Sequence, residues 1–256
     1  ALAARIELVE ARISLTVARA AQAESSHITE LGGGAAVFSR PGSPINKLIG
    51  LGFAGPLDTD ALAAIEVAWH ARGEPVRVEL SSLADPAIAE QLATRGYRTR
   101  GFEHVLARPL AADTRHEPAT DILIREDDAA WLPTLTAGFA TPDGSAIPLD
   151  PLSHDALAQI LHDFAAAPGF RRYTARLAGD PDAPVGAAAL RIDDRVALLC
   201  GAATLPSARR RGVQAALLAT RLRDASRAGC ELAVVTTEPG SLSQKNIARQ
   251  GFELAY

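Results

Sequence analysis

Methionine is absent from this 256-residue chain, cysteine occurs twice, and aromatic residues make up only 5%. Two cysteines cannot build a disulfide framework, and Cys200 and Cys230 sit in apolar surroundings like small buried hydrophobes. That usage suits a reducing compartment, so a cytoplasmic localisation is expected. No run of eighteen apolar residues occurs, which excludes an ordinary membrane-spanning helix. An excess of basic charge is also missing. Twenty-six Lys+Arg face thirty Asp+Glu, a formal net charge of −4 that provides no general field for nucleic acid. With no methionine and Ala1 as its first residue, the chain leaves open whether its natural spacings run slightly longer.

What is present is an ordinary globular balance, 48% apolar and 22% charged, enough for one large domain or two small ones. Ala1 to Ala21 is too interrupted by Arg5, Glu7, Glu10, Arg12 and Arg19 to be a signal peptide. Its Leu2, Ile6, Val9, Ile13 and Val17 recur at three- and four-residue steps, which predicts an amphipathic helix.

The chain carries a faint internal repeat. In the N-terminal half, strand Lys47 to Phe53 leads to helix Leu62 to Arg72, Gly73, strand Val76 to Leu80, helix Pro86 to Thr94 and Gly96-Tyr97. In the C-terminal half, strand Val196 to Leu205 leads to helix Val213 to Ala228, Gly229, strand Leu232 to Thr237, a short helix from Ser241 and Gly251-Phe252. Gly73 and Gly229 stand 156 apart, Tyr97 and Phe252 155 apart. The alternative is the shared grammar of any α/β chain. Polar, aperiodic Ala111 to Ala119 marks the boundary, which gives domains 1–112 and 120–256.

The second half has a front section. It reads as a strand at Ile122 to Ile124, a helix capped by Asp127 or Asp128, and a helix from Ser153 to about Ala166. Strands Phe170 to Leu177 and Val185 to Ile192 follow, with turns at Asp180 to Pro184 and at Asp193-Asp194.

Chemistry is written where Pro206 stops a strand and Arg209-Arg210-Arg211-Gly212 opens a helix. A helix start offers unpaired N–H groups and the positive end of the dipole. Gly212 removes a Cβ where an anion approaches, and three arginines there oppose the dipole at a cost in stability. The pattern points to a phosphate cradle, with a solvated basic turn as the alternative. Neither a P-loop ending nor Gly-x-Gly-x-x-Gly is present, and Gly32-Gly33-Gly34 reads as a turn or bulge.

Arg209-Arg-Arg-Gly212-Val-Gln214, followed by Asn246 and Gly251-Phe252, resembles the GNAT superfamily of acyl-CoA-dependent N-acyltransferases over about residues 120 to 256. The resemblance implies an α/β (α+β) fold of two GNAT-like domains in tandem, each a mixed twisted sheet flanked by helices. It further implies acetyl-CoA as co-substrate. Its pyrophosphate would lie on amides of Arg210, Arg211, Gly212, Val213, Gln214 and Ala215, with Arg209 beside them. Its pantetheine arm would pair with the strand edge at Ala202, Ala203 and Thr204 and meet Asn246, at the start of its helix. The two central parallel strands would splay to admit it. The family continues one strand beyond the equivalent of Tyr256, so that last strand is expected to be either missing or contributed from elsewhere.

Two departures stand out. Gln214 replaces the usual Gly or Ala, and Ile247 stands where the family often has a tyrosine acid. Tyr256 or Tyr173 is the candidate acid by position, with a strand aromatic as the alternative reading of either, although a thiolate leaves tolerably unaided because thiols ionise near pKa ~8.5. Glu238, at the end of strand Leu232 to Thr237, is the candidate base for an ammonium substrate, or else a solvated strand-end residue.

The first half has acidic Asp58 and Asp60 where the second has arginines, so it reads as a degenerate copy without the cofactor. Glu79 is a cleft candidate there. The six histidines have no metal spacing, so no metal is expected. The function expected is acetyl transfer to the primary amine of a small molecule. The alternative is a non-catalytic acyl-CoA sensor. Neither nucleic acid nor membrane is expected as a partner, and a homodimer is left open.

Overall fold

The structure is a computed structural model and describes residues 2–21, 24–110, 121–126, 129–141 and 153–256. The expected linker at Ala111 to Ala119 and the caps Asp127 and Asp128 lie outside the described residues. Two compact units emerge: residues 1–101, 155–168 and 256 form one, 102–154 and 169–255 the other. This division differs from 1–112 and 120–256, because residues 102–110 join the second unit and 155–168 the first.

In the first unit, helix α1 (Leu2–Ala20) buries Ile6, Val9, Ile13 and Val17, the stripe its spacing predicts. Strands β1 (His27–Leu31), β2 (Gly34–Phe38) and β3 (Lys47–Ile49) form an antiparallel sheet in that order. The Gly32-Gly33 turn joins the first two, as read from the sequence. Helix α2 (Thr59–His70) follows, capped by the Asp58 carboxylate on the N–H groups of Asp60 and Ala61. The expected strand Val76 to Leu80 shrinks to one parallel bridge, Leu48 to Val78. Helix α3 (Pro86–Thr94) has Asp85 as cap and Pro86 in its first turn. Its core centres on Phe38 and Trp69, whose rings meet edge-on at 5.5 Å. Helix α5 (His154–Ala166) belongs here, and Asp163 on it pairs with Arg40 at 2.8 Å.

The second unit is built on seven strands. In chain order they are β4 (His104–Pro109), β5 (Ile122–Glu126), β6 (Phe170–Leu177), β7 (Asp180–Asp193), β8 (Val196–Thr204), β9 (Leu232–Thr237) and β10 (Glu253–Leu254). Across the sheet the order is β10-β4-β9-β8-β7-β6-β5, and only β8 and β9 run parallel. Asp180 to Pro184 is the start of β7, and the preceding turn falls on Ala178-Gly179 instead. Asp194 and Arg195 make the next turn with φ of 46° and 58°.

Helices α4 (Trp131–Phe139), α6 (Val213–Arg227) and α7 (Leu242–Ala248) complete the unit. Val213, Leu217 and Leu222 of α6 pack on Tyr173, Leu190, Ala197, Leu199 and Ala233 of the sheet. A glycine is needed at 138: a Cβ there would lie 2.5 Å from the Cβ of Ala203, so α4 touches β8 through bare backbone. No described helix is long and apolar enough to cross a membrane.

The repeat is visible in the backbone. Each unit has a strand, a helix and a second segment parallel to the first, at Leu48 and Val78 and at Ala197 and Ala233. Each then has a short helix closed by a glycine, where Tyr97 donates to Leu92 O and Phe252 to Ile247 O. Leu92 and Ile247 are thereby equivalent, and both are buried.

Candidate functional site

The parallel ladder between β8 and β9 is short. Val196, Ala197 and Leu198 pair with Leu232, Ala233 and Val234, and there the pairing stops. Both strands continue, β8 to Thr204 and β9 to Thr237. Over that distance β8 is paired on its other side to β7 and β9 to β4. Beyond Leu198 and Val234 no further β8–β9 pair forms among the described residues. A gap between parallel strands at their C-terminal ends is the usual ligand position in open sheets of this kind. Ala202, Ala203 and Thr204 lie at the end of β8, where a register shift takes in Gly201 and Ala202 between the pairs of Cys200 and Ala203. Cys200 is half-buried and Cys230 buried, and neither is in a disulfide.

From Thr204 the chain passes through a 3-10 turn, Pro206–Ala208, into the arginines. Arg210 has φ 61° and Gly212 φ 81°, two left-handed residues separated by one, so the backbone curls before α6 starts. A residue with a Cβ is strained at such angles, which accounts for the glycine at 212. Gly212 is the N-cap of α6 and gives no side-chain cap. The first backbone bond of the helix is Ala216 N–H to Gly212 O at 2.9 Å, which leaves the N–H groups of Val213, Gln214 and Ala215 ahead of it. Asp58, Asp85 and Ser241 cap α2, α3 and α7 with their own oxygens. In the equivalent helix of the first unit, therefore, a carboxylate fills the position that α6 leaves open.

The arginines are not alike. Arg209 donates Nε to Thr204 O at 3.3 Å and a terminal nitrogen to Thr141 O, so its guanidinium fastens the loop to the ends of β8 and α4. Both of these hydrogen bonds go to backbone carbonyls. Arg210 and Arg211 are exposed.

Asn246 is the fifth residue of α7, not its first, and the cap is Ser241. Its Nδ2 donates to Gln214 Oε1 at 2.9 Å, and its Oδ1 accepts from Arg249 at 3.3 Å. The two signature residues, far apart in sequence, are thus brought together, and Gln214 is used in doing so. Ile247 is 4% exposed and lies in the core with Phe252, which removes any reading of it as a residue facing a ligand.

Glu238 follows the last residue of β9 and is half-buried, its carbonyl accepting from Ser241 N–H at 3.2 Å. Tyr256 falls in the first unit, where its hydroxyl donates to Glu7 Oε1 at 2.8 Å; burial pushes the phenol well up and the Glu7 carboxyl up to about 7. The expected acid is therefore tied to a carboxylate of α1. Tyr173 is buried, donates to Asp224 at 3.1 Å and is likewise raised by burial, so it is a core residue. Glu79 pairs with Lys47.

One residue at the site had no local signal. His104 of β4 lies in register with Thr237, one residue from Glu238, with its Nδ1 2.7 Å from Gln244 Nε2. Only the insertion of β4 beside β9 brings it there, and nothing in the sequence near 104 announces that pairing.

Among known proteins, the model of the Acetyltransferase (GNAT) family matches residues 142–252. A GCN5-related N-acetyltransferase from Kribbella flavida superposes with a TM-score of 0.66 at 21% identity, over 95% of this chain and 91% of that one. A functionally unknown conserved protein from Staphylococcus epidermidis gives 0.61 at 14% identity, over 91% and 92%. A tandem GNAT protein from the clavulanic acid biosynthesis pathway gives 0.61 at 12%, over 94% and 84%. At these identities the likeness is one of fold. No curated protein sequence matches the chain. The stretch 142–252 is thus similar to the Acetyltransferase (GNAT) family, and it includes the strands whose parallel pairing stops after three pairs.

Proposed function

We propose that the second unit is an acyl-CoA-dependent N-acyltransferase that moves an acetyl group from acetyl-CoA to the primary amine of a small molecule. The observation that carries this reading is the early end of the β8–β9 ladder beside an uncapped helix start. A strand-like ligand arm with an anionic end matches both features: unpaired backbone for the arm, free N–H groups and exposed arginines for the charge. The residues present fit the group. Amides of Arg210 to Ala215 would hold the pyrophosphate, and the edge at Ala202, Ala203 and Thr204 would pair with the pantetheine. Bound there, the cofactor supplies an activated thioester.

Glu238, at the open end of β9, is the group we assign to accept the proton an ammonium must lose before it can attack. Arg209 holds the loop and does not need to touch the ligand. The decisive experiment pairs calorimetric titration of CoA with thiol release from acetyl-CoA across a panel of primary amines. Micromolar CoA binding with amine-dependent release supports the enzyme. Absence of CoA binding overturns the reading.

A second reading, an acyl-CoA-binding sensor, is favoured by one observation: the position that often carries the family's acid is Ile247, closed into the core. Binding without release on any amine would select it.

A further inference from the structure

Helix α7 is fastened at two places. Asn246 bonds Gln214 in the first turn of α6, and Gln244 bonds His104 at the start of β4. The second link fixes more than a position. Gly240 N–H donates to Gln244 Oε1 at 2.6 Å, and the Gln244 backbone N–H donates to Ser241 Oγ at 3.1 Å. With Oε1 taken by a backbone donor, the amide that faces His104 is the NH2, 2.7 Å from Nδ1. Nδ1 is then an acceptor, and a neutral ring carries its proton on Nε2. The assignment follows from the network, since only the heavy atoms are located.

A second polar group stands at the same place. His104 and Thr237 are directly opposed in an antiparallel pair, so their side chains share a face of the sheet. Thr237 is 6% exposed, and its Oγ1 is buried without a hydrogen-bond partner among the described residues. Buried hydroxyls are nearly always partnered, and one left unpaired at the end of a ligand gap asks for a partner from outside the chain. Thr237 is also the last residue of β9, three beyond the final pair with β8.

We propose that His104 is a ligand-binding residue. Gln244 locks it as a neutral Nε2–H donor to a carbonyl oxygen of the acyl-pantetheine arm in the β8–β9 gap, and Thr237 completes the same polar ledge. The inference rests on the acyl-CoA reading. It assigns no proton transfer to His104: an imidazolium would put a proton on Nδ1 against the Gln244 amide.

Nitrogen NMR of the full chain tests the lock without any ligand. The neutral His104 ring should show the Nε2–H tautomer, and Gln244→Glu, which replaces the donor by an acceptor, should move the proton to Nδ1. Titration with CoA should then shift the His104 Nε2 resonance. Titration with 3′-phosphoadenosine 5′-diphosphate, which lacks the pantetheine arm, should not. His104→Phe and Thr237→Val should each weaken CoA binding about five- to tenfold and leave the affinity for the adenosine fragment unchanged, while Thr237→Ser retains CoA affinity. If His104→Phe does not fold, Gln244→Glu and Thr237→Val carry the same comparison. A wild-type Nδ1–H tautomer, or CoA binding that leaves His104 and these variants unaffected, overturns the proposal. Wild-type protein that binds no CoA overturns the acyl-CoA reading itself, with the tautomer result still standing by itself.

Discussion

The Tyr256 hydroxyl donates to Glu7 Oε1 at 2.8 Å, and the carboxyl that receives it is 4% exposed. Burial raises the pKa of Glu7 to about 7; the Tyr256 bond and Lys47 pull the other way, and Glu79 adds to the rise. The folded chain thus holds this proton through a pH range in which the unfolded chain releases it. Its stabilising effect is complete below about pH 4.5 and falls as pH rises towards 7. Above that the folded state carries a deficit on the order of 3 kcal/mol. Glu7→Gln keeps an acceptor for Tyr256 and removes the titration. It should raise Tm at pH 8, change it little at pH 4, and flatten the slope between. A difference from wild type that is constant across pH would show that folding does not shift the Glu7 pKa.

Gly212 and Asp58 stand at the same point of the two repeats and should respond oppositely. Gly212→Asp puts a carboxylate and a strained left-handed backbone at the start of α6, so CoA binding should be lost with about 1–2 kcal/mol of stability. Asp58→Ala removes a cap with two amide bonds, which should cost about 1 kcal/mol and leave CoA affinity unaltered. Calorimetry and denaturant titration of both variants check the contrast. CoA affinity that falls in Asp58→Ala would end the description of the first unit as a copy without cofactor.

Gly138→Ala adds one methyl group at the tightest crossing in the second unit, 2.5 Å from the Cβ of Ala203. Either α4 or β8 must move, at about 1–3 kcal/mol. Because Ala203 is on the β8 edge, CoA affinity should fall as well. Retained affinity together with lost stability would show that α4 gives way and the edge does not.

The elements set by local chemistry were legible in advance. Helix Pro86 to Thr94 follows an Asp-Pro start, and strands Phe170 to Leu177 and Leu232 to Thr237 are bounded by Gly or by Pro-Gly. The uncapped helix start was legible too, since Arg and Gly stand where a cap residue is expected. What failed depended on distant partners. No local pattern announces that Arg209 fastens its loop to the Thr204 and Thr141 carbonyls. Ile247 reads as a replaced acid until the helix turn that closes at Gly251 sends it inward. The remaining strand of the sheet was expected to be either missing or contributed from elsewhere, and nothing in the segment His104 to Pro109 named β9 as its partner.

Ile247 should therefore not accept the family's tyrosine. Its equivalent, Leu92, is also buried, so the position serves the helix end in both units. Ile247→Tyr should cost about 1–3 kcal/mol by overpacking and should not increase turnover. Thermal unfolding and thiol release measure the two effects. A faster, equally stable variant would mean that the side chain can turn out of the core.

Strand β4 decides whether the second half can stand alone. It pairs six residues with β9 and two with β10, so it is the only strand that joins β10 to the described sheet. A fragment of residues 120–256 lacks it. Such a fragment would expose the β9 edge from Leu232 to Thr237, leave β10 without a neighbour and take away His104. Unpaired, apolar strand edges of this kind pair with other chains. The fragment should therefore unfold without a cooperative transition or aggregate, and should not bind CoA. Adding a peptide of residues 102–110 in trans, or starting the fragment at residue 102, should restore the sheet and at least part of the affinity. Binding by 120–256 alone at wild-type strength would show that β4 is an accessory to the site, whatever its place in the sheet.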